Sequence, residues 1–283
     1  MSYFRKNIDA MTAYVPGEQP APGAKLIKLN TNENPYPPSL KAIRVLRGLT
    51  ADGLRPYPDP TAGEFRLAVS EVLGVPADWV LPGNGSDDVI TMIARACLAP
   101  GRKAVYPAPT FEFYPTQGRI EGAELVEVPF DDDFNLPVEQ LLAAGGAVTF
   151  VASPNSPSGT SAPNEQLEQL AAGLDGVLVI DEAYVDFADN NALELVRRFD
   201  NVIVLRTLSK GYSLAGLRLG FGVACPSLLS GFLKTKAIYN VSAPAAAVGA
   251  AAMRDQDHKN ACVEKIKASR VKLTGELEAM GFR

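Results

Sequence analysis

The segment Thr207-Leu-Ser-Lys-Gly-Tyr-Ser-Leu-Ala-Gly-Leu-Arg-Leu-Gly-Phe221 sets Lys210 between two hydroxyls and Arg218, directly after the apolar run Val202-Ile-Val-Leu205. That run reads as a short buried strand, so Lys210 sits on the loop at its C-terminal end, where open α/β sheets bind ligands. Thr207, Ser209 and Arg218 suffice to hold an anion. The lysine amine is then free for covalent chemistry, and an imine with a carbonyl cofactor is the reaction such an amine suits. Taken alone, the segment also fits an ordinary solvated loop.

Other strand ends add polar groups to the same rim. Val177-Leu-Val-Ile180 delivers Asp181, with Tyr184 three residues on. A carboxylate there can keep a pyridine nitrogen protonated, which a ring acting as an electron sink requires, and Tyr184 can bond a phenolic ring oxygen. A magnesium-binding Asp181–Glu182 pair or a helix N-cap are the alternatives, although the chain lacks a Gly-x-x-x-x-Gly-Lys-Ser/Thr nucleotide loop. The loop Ser153-Pro-Asn-Ser-Pro-Ser-Gly159 follows an apolar run and presents Asn155, a neutral donor for a ring oxygen. Gly83-Asn-Gly-Ser-Asp-Asp88 is a glycine turn into a helix start, where free backbone N–H groups suit a phosphate; a structural turn explains it equally well. Phe111, after Pro107-Ala-Pro-Thr110, can stack on a ring face or simply fill core.

Alternating elements must position these groups. Strands are expected at 79–81, 103–106, 124–128, 147–152, 177–180, 202–206 and 219–224, with helices at 39–49, 64–73, 87–98, 112–120, 138–144, 165–172, 192–199, 243–252 and 260–280. On the 64–73 helix, Phe65, Leu67, Ala68, Val72 and Leu73 are available for one apolar face. Several strands are continuous apolar runs, as in sheets covered on both faces. The expectation is a three-layer α/β/α large domain with a mostly parallel sheet over residues 39–253. An extended Pro- and Asn-rich arm precedes it (1–38), and a charged amphipathic helix follows (254–283).

Composition narrows the partners. The chain has 283 residues, 47% hydrophobic, and a net charge of −5. It carries no Lys/Arg-rich run, which argues against nucleic acid. No stretch approaches the roughly 20 apolar residues of a membrane span and no signal-peptide core is present, so no membrane partner and a cytoplasmic location are expected. Cys97, Cys225 and Cys262 are odd in number and far apart, and read as small hydrophobes in a reducing compartment. The single histidine, His258, lies in a polar helix start and reads as solvated, which leaves a Ser-His-Asp triad or a zinc site of the usual His/Cys type without ligands.

In order and spacing, Asn155, Asp181, Tyr184, Ser209, Lys210 and Arg218 resemble the fold-type I pyridoxal-phosphate enzymes of the aminotransferase class I/II group. The finer motifs look most like the histidinol-phosphate aminotransferases: Tyr14-Val-Pro-Gly-Glu18, Leu29-Asn-Thr-Asn-Glu-Asn-Pro-Tyr36, Tyr57-Pro-Asp-Pro60, Gly83-Asn-Gly-Ser-Asp87 and the Ser153–Gly159 loop. The resemblance implies that pyridoxal 5'-phosphate is carried on Lys210, with Asp181 at the ring nitrogen, Asn155 and Tyr184 at the ring oxygen and Phe111 stacked on the ring. It assigns Ser86, Asp87, Thr207, Ser209 and Arg218 to the phosphate. Tyr57 would reach the cofactor of a partner subunit in a homodimer with shared sites, and Tyr14, with Asn155, would contact substrate. The implied reaction is transamination between histidinol phosphate/imidazole-acetol phosphate and glutamate/2-oxoglutarate, in histidine biosynthesis. Members of that family are longer at the C-terminus, where the small domain is completed and substrate-binding arginines are supplied, so residues 254–283 are read as an incomplete small domain. Alternatives are another enzyme of the same fold (an aromatic aminotransferase or a phosphothreonine decarboxylase), or a non-catalytic cofactor-binding or oligomerisation protein left by truncation.

Overall fold

The computed structural model describes residues 2–13, 17, 23, 25 and 27–282. The strands are β1 (Val80–Gly83), β2 (Lys103–Ala108), β3 (Glu124–Pro129), β4 (Val148–Ala152), β5 (Val177–Asp181), β6 (Val202–Thr207) and β7 (Gly220–Ala224). They form one sheet in the order β1-β7-β6-β5-β4-β2-β3. The neighbours from β3 through β6 pair in parallel, and β7 runs antiparallel to both β6 and β1. The helices are α1 (Lys6–Asp9), α2 (Leu40–Arg47), α3 (Ala51–Leu54), α4 (Gly63–Leu73), α5 (Ser86–Cys97), α6 (Phe113–Glu121), α7 (Val138–Ala144), α8 (Asn164–Gly173), α9 (Leu195–Arg198), α10 (Pro226–Phe232), α11 (Ala243–Met253) and α12 (Gln256–Ala279).

The side-chain alternation of a strand explains the layers. Along β6, Val202 and Val204 enter one apolar cluster while Ile203 and Leu205 enter the other, all fully buried. The first cluster is completed by α2, α4, α7, α8, α9 and α11, and the second by α5, α6 and α10. With each such side chain worth about 1.5–3 kcal/mol on burial, the two-sided apolar strands fix β4, β5 and β6 at the sheet centre. The expected three-layer, mostly parallel architecture is the one observed.

Some expectations need correction. On α4 the buried residues are Phe65, Ala68 and Val69, whereas Leu67 is half-exposed, because 65, 68, 69 and 72 are the positions that share a helical face. The helix expected at 192–199 is confined to α9; residues 193–194 form a turn, and the Ala192 and Leu193 N–H groups donate to the Glu182 and Asn191 side chains. α10, opened by Pro226 at its first position, was not anticipated. His258 is half-buried rather than solvated: its Nε2 lies 2.9 Å from the Pro37 carbonyl and ties the arm to α12. Cys262 is buried, while Cys97 and Cys225 are partly so. Helix α12 leaves apolar side chains in solvent, Val271 and Leu273 among them. No described helix is long and apolar enough to cross a membrane.

Candidate active site

Strand register brings the predicted groups to one edge. Asp181, the last residue of β5, pairs with Ala152 at the end of β4 and with Leu205 near the end of β6. The backbone ladder continues past the strands through Ser153 N–H to Asp181 O and Glu182 N–H to Leu205 O, both 2.9 Å. The Asn155 loop, the Asp181–Tyr184 segment and the Thr207–Lys210 loop therefore leave adjacent parallel strands at the same C-terminal edge. Between them lies a cavity of about 420 Å³ whose wall includes Ser86, Asp87, Phe111, Asp181, Tyr184, Thr207, Ser209, Lys210 and Arg218.

One end of this cavity is built for an anion. The N-terminus of α5 opens at Ser86 after Gly85, whose φ of +87° suits glycine, and a Cβ there would stand 2.6 Å from Arg218 Nη2. Gly220 is as constrained, because a Cβ would collide with the Ser86 backbone nitrogen. Arg218 itself holds φ +52°, a left-handed conformation rare outside glycine and often kept where function demands it. Its guanidinium is steered by Asp87, Nη2 to Oδ2 2.9 Å. Ser209 N–H donates to Thr207 Oγ1 (3.1 Å), and the Thr207 hydroxyl donates to Ser209 Oγ (2.9 Å). Free N–H groups of a twelve-residue helix, two hydroxyls and a guanidinium converge there.

The other end holds a carboxylate and an amine. Asp181 is 5% exposed, and its bonds come from neutral donors, Tyr114 Oη–H to Oδ2 at 2.8 Å and Ala183 N–H to Oδ1 at 3.0 Å. Burial pushes its carboxyl up to about 6, against the opposing pull of those two hydrogen bonds. Such a carboxylate is stabilised by a cationic N–H brought into the cavity. Lys210 Nζ lies 5.4 Å from the Tyr184 ring centre and donates to the Thr31 carbonyl at 2.8 Å. Phe111 lies edge-on to Tyr114, ring centres 5.5 Å apart.

Two predicted residues stand elsewhere. Asn155 lines an adjoining cavity with Asn34, Ser158 and Arg270, joined to the first through Glu33, Tyr184 and Lys210. Its Nδ2 already donates to Ser158 Oγ and Pro109 O, and its Oδ1 accepts from Thr110. Tyr57 is 79% exposed and stacks on Tyr239, ring centres 4.6 Å apart, away from this chain's own cavity. Tyr14 lies outside the described residues. Sequence reasoning missed two contributions. Asn34 and Asn32 of the arm bind the site's own residues, with Asn34 Nδ2 donating to Lys210 O (3.0 Å) and Asn32 Nδ2 to Tyr184 Oη (3.1 Å); the Asn-Glu-Asn-Pro run was their signal. Tyr114, one helical turn after Phe111, was hidden inside a segment read only as helix.

The sheet, the lysine after β6 and the carboxylate after β5 define a class, and the sequence profile of that class, aminotransferase class I and II, matches residues 24–283; the chain belongs to this family. Among its relatives, histidinol-phosphate aminotransferase 1 of Trichormus variabilis is 57% identical over 281 residues, covering 99% of this chain and 80% of the relative. The histidinol-phosphate aminotransferase of Geobacter sp. (strain M21) is 41% identical over 283 residues, covering 100% and 81%. Among solved structures, histidinol-phosphate aminotransferase from Sinorhizobium meliloti, in complex with pyridoxal-5'-phosphate, superposes with a TM-score of 0.85 at 26% identity over 96% of this chain and 77% of that one. Aspartate aminotransferase from Thermus thermophilus with maleate shares the fold, with a TM-score of 0.83 at 20% identity over 100% and 82%.

Proposed function

We propose that this chain is a pyridoxal 5'-phosphate-dependent aminotransferase that moves an amino group between histidinol phosphate and 2-oxoglutarate, in histidine biosynthesis in the cytoplasm. The observation that carries the cofactor reading is the placement of Lys210 and a buried Asp181, without a cationic partner among the described residues, on one cavity that ends in an anion cradle. The substrate reading is supported by the 57% identity to a histidinol-phosphate aminotransferase.

When bound, the cofactor supplies an electron-poor ring that accepts the electron pair left as a substrate C–H proton departs. The protein's part is binding, orientation and proton transfer. Ser86 and Asp87 N–H groups, Thr207, Ser209 and Arg218 hold the phosphate. The Asp181 carboxylate keeps the ring nitrogen protonated, and Phe111 covers the ring face. Tyr184 Oη and Asn155 would hold the ring oxygen, the Asn155 amide exchanging its present bond to Ser158 for that contact. Lys210 Nζ would hold the cofactor through its carbonyl carbon, with the carbonyl oxygen leaving as water, and as a free amine the same group would carry the proton between substrate carbon and cofactor. Tyr14 contacts substrate from the arm, and Tyr57 serves the partner's site in a homodimer. Residues 39–253 form the cofactor-binding domain, 1–38 the arm, and α12 opens the small domain.

Half-reactions test the substrate. Histidinol phosphate, and separately glutamate, should convert the visible absorbance of the lysine-linked cofactor to that of its amine form. Conversion by an aromatic amino acid but not by histidinol phosphate, or carbon dioxide release from phosphothreonine, would reassign the substrate within the same fold.

A further inference from the structure

Asp181 has a partner that the proposed chemistry leaves unused. Tyr114 is fully buried on α6, stacked on Phe150 with ring centres 4.8 Å apart and planes 7° apart, and edge-on to Phe111. These contacts aim its hydroxyl from beneath the cavity at Asp181 Oδ2, 2.8 Å away. The other acidic or phenolic groups acting on this pair are Asp87, Glu182 and Tyr184, and none of them donates to Asp181.

We propose that Tyr114 is a positioning residue that sets where the proton lies between the Asp181 carboxylate and the cofactor ring nitrogen. This rests on the reading of the cavity as a pyridoxal-phosphate site. A carboxylate facing a pyridine nitrogen shares one proton with it, as carboxylate with pyridinium or as carboxylic acid with pyridine. An O–H donated to the carboxylate stabilises the charged oxygen and favours the first arrangement, in which the ring withdraws electrons most strongly. The phenol stays a donor because burial and the neighbouring Asp181 charge push its own ionisation well above the ordinary tyrosine range. Phe150 and Phe111 fix the angle of approach. Tyr114 thus touches no reacting atom and acts through Asp181.

Tyr114→Phe removes the donor and keeps the stacked ring. In cofactor-free protein, the titration of Asp181, followed by its carboxyl ¹³C shift and assigned by difference against Asp181→Asn, should move up by about one to two pH units, as loss of a hydrogen bond to a charged group implies. With ring-¹⁵N-labelled pyridoxal phosphate bound, the nitrogen shift should move from the protonated toward the unprotonated value, and kcat should fall by more than KM changes. Replacing Tyr114 with 3-fluorotyrosine, a stronger donor of nearly the same shape, should move the Asp181 titration the opposite way; this arm stands even if the phenylalanine variant folds poorly. A wild-type protein that takes up no cofactor would overturn both this inference and the reading beneath it. Normal uptake, with Asp181 titration and ring-nitrogen shift unmoved by either replacement, would overturn the role of Tyr114 alone.

Discussion

Asp181 is the residue at which charge, burial and chemistry meet. Its folded-state carboxyl, near 6, lies above the ordinary aspartate value of about 3.9, so between those values the native cofactor-free protein binds more protons than the unfolded chain. The contribution to stability is fully present below pH 4 and is lost as pH rises through 6. A gap of about two units corresponds to roughly 3 kcal/mol. Asp181→Asn should therefore leave cofactor-free stability nearly unchanged at pH 4 and raise it relative to wild type at pH 7.5, as denaturant melts at the two pH values would report. The same variant should lower kcat by about a hundredfold or more, because the fixed charge that stabilises the reacting ring is gone. The adjacent Glu182 has a different task. It is buried, accepts from Arg206 Nε (2.8 Å) and Nη2 (2.7 Å) and from the Ala192 N–H, and burial pushes its carboxyl up despite the guanidinium. Glu182→Ala leaves Arg206 uncompensated and should cost about 3–5 kcal/mol in a denaturant melt.

Among the elements, the β6–β7 connection and the start of α5 form one unit. Leu208 N–H bonds Leu219 O at 3.0 Å, Gly220 backs directly onto Ser86, and Arg218 reaches Asp87. Gly220→Ala therefore pushes the α5 N-terminus away from Arg218. Fluorescence titration should show weakened cofactor binding together with a lower melting temperature, whereas at Gly231 on α10, outside the cavity wall and with nothing within 4 Å of a Cβ, alanine should leave cofactor binding unchanged. Legibility from sequence divides along the same lines. Apolar runs such as Val202–Leu205 announce a buried strand by themselves, and the polar residues right after them announce an edge, so the strands and Asp181, Tyr184 and Lys210 could be placed in advance. What could not be read was contact across long sequence separations. Nothing local at Tyr114 says that its hydroxyl meets Asp181, 67 residues on, and nothing at Asn34 says that it bonds Lys210, 176 residues away. Asn155 was legible as a loop residue but not as one whose amide is already committed. The helix read at 192–199 was legible as a helix but not as one confined to Leu195–Arg198.

For the molecule as a whole, the exposed Tyr57–Tyr239 stack belongs to a surface that includes the exposed Ile238, and the proposed homodimer would place Tyr57 at the partner's phosphate cradle. Sharing of sites makes a specific prediction. Lys210→Ala and Tyr57→Ala homodimers should each be strongly impaired, yet unfolding and refolding them together should restore roughly a quarter of wild-type activity, since half of the dimers are mixed and each has one intact site. No recovery would mean that Tyr57 acts within its own chain, and a Tyr57→Ala homodimer with unimpaired activity would mean that it does not act at the site. The central claim, that Lys210 carries pyridoxal phosphate, is tested most directly by reducing the cofactor-loaded protein with borohydride and mapping the modified peptide. The expected result is a single pyridoxyl group on Lys210, absent from Lys210→Ala; a protein that acquires no label, or acquires it on another lysine, would contradict the account.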